Sequence, residues 1–204
     1  YLYMEPGYHY KVTLPPFKEK TYSDQISPFF QPVVLPLRVQ KRVSLATGTE
    51  VEGTQDVNYE IARFDTLFAM ANKQVVNNRR LNKSSPVDSL IQSLESAFFT
   101  DTMQFFSDYR KYRYGVLRLN EGITGLAEIS ETYLGPVIQE WHPGFIELFR
   151  AMFKDFIYYF TQTPEGDGLI KYINRTQDLD STRYVLQQHP AIWNDTLADM
   201  VLMQ

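Results

Sequence analysis

The chain has 204 residues, no cysteine and a formal charge of −4. That length suits one domain with an appendage, and about 150 residues of helical sequence bury roughly 70% of their unfolded surface, enough for a core without disulfides or metal. The missing cysteine excludes thiol catalysis, thiolate metal sites and a disulfide framework together, and the acidic balance disfavours a general nucleic-acid binder.

Six of the eleven prolines fall within the first thirty-six residues. Pro15-Pro16 and the series Pro28, Pro32, Pro36 cannot enter helix interiors or central strands. Yet this stretch carries Phe17, Phe29, Phe30, Val33, Val34 and Leu35, side chains that a solvated linker would avoid. Residues 1–53 are therefore expected to form an extended arm laid on a surface. Its candidate partner-binding residues are Phe17, Pro28, Phe29, Phe30, Pro32, Val33, Val34 and Leu35. The segment LPLRVQKRVSLAT, from Leu35, predicts a short strand that ends at the Thr47-Gly48 turn. The opening YLYMEPGYHY lacks the basic flank and apolar run of a secretory signal. A start other than Met suits a chain whose leader, such as an organellar transit peptide, has been removed.

From Asp56 the period changes. Val57, Ile61, Phe64, Phe68, Ala71 and Val75 recur at spacings of three and four, one face of a helix, with Thr54 or Asp56 as N-cap. Asn77 to Ser85 reads as a polar, basic connection. Ser85-Pro86-Val87-Asp88 then opens a second helix, serine capping and proline in the first turn, with Val87, Leu90, Ile91, Leu94 and Phe98 facing inward. Thr100-Asp101 starts a third helix through Phe105, Phe106 and Tyr109, and Gly115 is its expected stop. Asn120 to Leu134 predicts a weaker helix carrying Ile123, Leu126, Ile129 and Tyr133 on one face.

The strongest element runs from Pro143 to Phe160. Phe145, Leu148, Phe149, Met152, Phe153, Phe156, Ile157 and Phe160 share one broad face, while Glu147, Arg150, Lys154 and Asp155 gather on the other. Its length approaches a membrane span. Arg150, Lys154 and Asp155 near its centre would each cost about 2.5–3.5 kcal/mol in lipid, so it reads as a core helix. The loop from Thr163 to Gly168 ends it, and two shorter helices follow, the last from Ala191 to Gln204.

Few residues suggest chemistry. Tyr109-Arg110-Lys111-Tyr112-Arg113-Tyr114 is the densest basic and aromatic cluster, and Arg110, Lys111 and Arg113 are candidates for docking on a partner's acidic patch or on anionic lipid headgroups. On a helix these six side chains radiate in all directions, so they form no stacking platform for bases. His142 and His189 both precede proline, where the backbone is pushed extended, and mark helix entrances rather than ligands. Asp88-Ser89-Leu90 resembles the attachment motif of acyl carrier proteins in three residues only, and the following IQSLESAFF lacks that family's acidic surface. No phosphate-binding loop, nucleophile elbow or metal-ligand spacing is present, and no cofactor is expected.

The sequence thus predicts a mainly α fold: residues 54–204 form an irregular helical bundle or array, preceded by an extended proline-rich arm over 1–53. The expected role is a non-catalytic accessory or structural subunit of a large multiprotein assembly. Its expected partners are other protein subunits, and it has no transmembrane segment. The expected home is mitochondrial, peripheral to an inner-membrane complex such as ATP synthase or the respiratory chain. Two alternatives stand beside it: a helical enzyme or lipid-binding protein with a pocket beneath the aromatic helix, and a viral or cytoskeletal structural protein.

Overall fold

The structure is a computed structural model, and it describes residues 8–13, 38–44, 50–51, 57–98, 103–135, 138–176 and 178–204. The fold is mainly α. The chain divides into two compact units, residues 1–66 and 67–204, and the division falls inside the first helix.

The first unit holds three antiparallel strands in the order β1 (Tyr8–Thr13), β2 (Arg38–Ser44), β3 (Glu50–Val51). Tyr10 pairs with Arg42 and Lys11 with Lys41, after which the register shifts and Val12 meets Val39. The strand expected from Leu35 is β2, and β1 and β3 supply the neighbours that an isolated strand needs. The extended reading of the proline series falls on residues 14–37, outside the described residues, as do the cap candidates Thr54 and Asp56.

Helix α1 (Val57–Arg80) begins in the first unit and continues into the second. Val57, Phe64, Phe68, Ala71 and Val75 are buried as the stripe predicts. The helix runs on through Asn77–Arg80, residues expected to be a connection. It ends in a Schellman turn: Asn82 adopts φ 52°, its N–H donates to the Arg79 carbonyl, and the Lys83 N–H donates to that of Asn78. Arg79 also donates to the carbonyls of Leu119 and Asn120, at 3.5 and 3.2 Å, and so satisfies the end of another helix.

The second unit is built around α3 (Gln104–Glu121), which packs along α5 (Pro143–Phe153). α2 (Val87–Ala97) lies against α3. Its cap position is taken by Pro86 without a side-chain cap, so Ser85 does not play the capping role expected of it. Gly115 does not stop α3 either. A Cβ there would meet a Leu148 methyl at 2.7 Å and the Tyr133 Cβ at 3.1 Å, so this glycine sets how closely α5 approaches. The stop is Gly122, left-handed at φ 76°.

After that stop, α4 (Leu126–Ile129) is a single turn that widens into a π-helical turn over Ser130–Leu134. Ile129 and Leu134 are buried but Ile123 is exposed, so the weak helix expected from Asn120 is confined to its second half. The aromatic helix is two helices, α5 and α6 (Phe156–Phe160), interrupted at Lys154-Asp155. The interruption leaves the apolar face continuous. Phe145, Phe149, Phe153, Phe156 and Phe160 form a ladder with successive ring centroids 6.0, 4.9, 5.4 and 5.2 Å apart.

Beyond the loop lie α7 (Leu169–Lys171), which passes into a π-helical turn over Tyr172–Thr176, then α8 (Leu179–Leu186) and α9 (Asp195–Leu202). The last helix starts at Asp195, not at Ala191, because the Asn194 side chain accepts from the Leu197 N–H at 2.8 Å and fixes the cap there. Arg183 grips Asp199 with two 2.7 Å bonds and ties α8 to α9.

Candidate interaction surface and aromatic groove

The basic cluster of α3 lies largely inside the molecule. Arg110 is 6% exposed, donates to Glu95 at 3.3 Å and to the Phe98 carbonyl at 3.4 Å, and lies over the Phe106 ring. Its Nε has no hydrogen-bond partner among the described residues. Arg113 pairs with Glu147 of α5 and sits 4.0 Å above the Phe68 ring centroid. Both guanidiniums therefore bind neighbouring elements onto α3, a use that a planar, weakly hydrated cation suits. Lys111 is the exposed cation of the three.

The tyrosines of the same run are buried. Burial, then the Asp108 charge, pushes the Tyr112 phenol up to about 12, so it stays neutral at any physiological pH. Burial, together with the neighbouring Glu95 carboxylate, raises Tyr114 further. Asp88, expected in a capping motif, instead pairs with Arg118 and so links α2 to α3.

The arm candidates Phe17, Pro28, Phe29, Phe30, Pro32, Val33, Val34 and Leu35 lie outside the described residues. Aromatic surface is nevertheless present elsewhere. Trp141, Tyr158, Tyr159 and Tyr184 are 68, 66, 67 and 68% exposed. Tyr158 and Tyr159 meet edge to face with centroids 5.2 Å apart. None of these four lies on an apolar face read from the sequence. The available signal was position: Tyr158 and Tyr159 fall between Phe156 and Phe160, off the apolar face.

At the α5–α6 interruption the surface opens into a groove of about 420 Å³. Met152, Phe156 and Phe160 line it beside Leu126, and Lys154, Asp155, Tyr159 and His189 add polar groups. The Thr163 hydroxyl in its wall is committed, donating to the Phe160 carbonyl and accepting from the Gly166 N–H.

Two histidines have defined roles. His142 is fully buried and caps α5: its Nδ1 accepts from the Gly144 N–H at 3.1 Å, which places the ring proton on Nε2, 3.1 Å from the Phe105 carbonyl. His189 accepts from the Ala191 N–H at 3.2 Å in the turn before α9. The helix entrance expected at His142 is present; the one expected at His189 is a turn. Among the described residues no group of three His, Asp or Glu is placed to hold a metal ion.

Comparison with protein-family models, curated proteins and solved structures gave no match.

Proposed function

We propose that this chain is a structural subunit of a larger multiprotein assembly. The observation that carries the reading is the exposed aromatic set Trp141, Tyr158, Tyr159 and Tyr184. The helical unit already closes its own core with phenylalanine and leucine, so these rings have no internal task. Large amphipathic rings are enriched at the centres of protein interfaces. The apolar, proline-rich stretch around Phe29 and Phe30 supports the same reading, since its side chains need a surface to cover them. Lys111 is the residue of the basic cluster left to meet an acidic partner or a lipid headgroup.

A mitochondrial inner-membrane complex, either ATP synthase or a respiratory complex, is the setting we propose for that assembly, with the chain bound at its periphery. No helix among the described residues is long and apolar enough to cross a membrane. The groove beside α6 favours a second reading, a helical lipid-binding protein or enzyme whose apolar ligand rests on Phe156 and Phe160.

Replacing Tyr158 and Tyr159 by serine tests the first reading. Neither ring contributes to the buried core, so thermal unfolding should be unchanged while recovery of partner subunits with a tagged chain falls at least tenfold. Undiminished recovery with both tyrosines removed would take the proposed interface away from α6.

A further inference from the structure

The two His-Pro dipeptides fold alike. In His142-Pro143-Gly144 and in His189-Pro190-Ala191 the imidazole Nδ1 accepts the N–H two residues on, across a proline that has no N–H of its own. Each ring also packs on the aromatic layer of the second unit, at opposite ends of it. His142 lies 4.5 Å from Phe105, 5.1 Å from Tyr112 and 5.8 Å from Trp141, and Tyr112 in turn meets Phe145, the first rung of the ladder. His189 stands edge-on to the last two rungs, 5.0 Å from Phe156 and 5.9 Å from Phe160.

We infer that the two His-Pro turns are an acid-sensitive clasp that holds α5 and α6 in place and lets them go when both rings take a second proton. Protonated Nδ1 becomes a donor, and in each turn it would face the N–H it now accepts from. His142 would lose the cap of α5 and His189 the turn that seats it against Phe156 and Phe160.

The groups facing each ring set the direction. Around His142 these are the Asp108 carboxylate and the Tyr109 and Tyr112 phenols of α3. Around His189 they are Glu165 of the loop after α6, and Lys154 and Asp155 at the groove. Burial pushes both imidazoles below their ordinary value; the Phe105 carbonyl and then Asp108 oppose that only in part at His142, and Glu165 only in part at His189. The unfolded chain takes up these protons near pH 6.5, before the folded chain does. The clasp is therefore fully closed above about pH 6.5, and its stabilisation is lost as pH falls through the lower folded values. Most carboxylates titrate below that window.

Trp141 reports on its neighbour. With Trp193→Phe in the full chain, Trp141 fluorescence should change with a midpoint below pH 6.5, steeper than a single proton allows, and the urea midpoint should fall between pH 7 and pH 5. His142→Gln with His189→Gln should flatten that fall. Should the double variant not fold, side-chain NMR of the unmodified chain reads the same quantity: both imidazoles should carry hydrogen on Nε2 at pH 7 and titrate below pH 6.5, together with the amides of α5. Imidazoles that titrate near 6.5 without moving those amides, or a pH dependence that survives in the double variant, would overturn the clasp.

Discussion

Glycine 115 illustrates how one residue without a side chain decides a helix contact. Its space is filled by a methyl of Leu148, itself fully buried and unable to swing into solvent. Alanine there would gain about 1 kcal/mol of helix propensity. Overpacking of a closed core costs about 1–3 kcal/mol, and the Tyr133 Cβ on the other side allows little retreat. Overpacking should win. Gly115→Ala is expected to lower stability by up to about 2 kcal/mol in urea titration; a more stable variant would mean that α5 retreats from α3 at little cost. Arg110 and Arg113 teach a related lesson. In the sequence they resemble a docking patch, yet stacked on Phe106 and Phe68 and paired with Glu95 and Glu147 they act as internal rivets.

At the scale of elements, the apolar period was legible and the ends were not. Apart from the half-buried Ile61 and Ile157, the stripe from Val57 to Val75 and the face from Phe145 to Phe160 are buried where a period of 3.6 puts them, because burial of a continuous face is what selects that period. The interruption at Lys154-Asp155 leaves no trace in this pattern, since Phe153 and Phe156 are three apart on either reading. Gly115 and Gly122 look equivalent in sequence; only the packing of Leu148 and the left-handed turn tell a close approach from a stop. Caps were equally ambiguous. Ser85 has the chemistry of a cap without the geometry, whereas Asn194 has both. Asn194→Ala should therefore cost about 1 kcal/mol and speed amide exchange at the start of α9, whereas Ser85→Ala should leave exchange at the start of α2 unchanged. Equal effects at the two sites would show that the Asn194 bond does not hold the helix. The exposed tyrosines were illegible for a different reason: composition counts rings but does not say which ones a core has room for.

For the whole molecule, two observations of different origin point outward. The second unit closes its core and still presents Trp141, Tyr158, Tyr159, Tyr184 and Trp193 to solvent, and the first fifty residues carry six Lys/Arg against four Asp/Glu while the remainder carries fourteen against twenty. On the proposed reading, neighbouring subunits would cover the apolar rings that the closed core leaves outside. The measurement that reaches this claim most directly is the native mass of the intact, tagged chain in extracts of its own cells, taken without cross-linking. The account predicts migration with a complex many times heavier than the chain's own 23.8 kDa. Migration as a stable species of 23.8 kDa would contradict it and leave the groove beside α6 as the place to look for function.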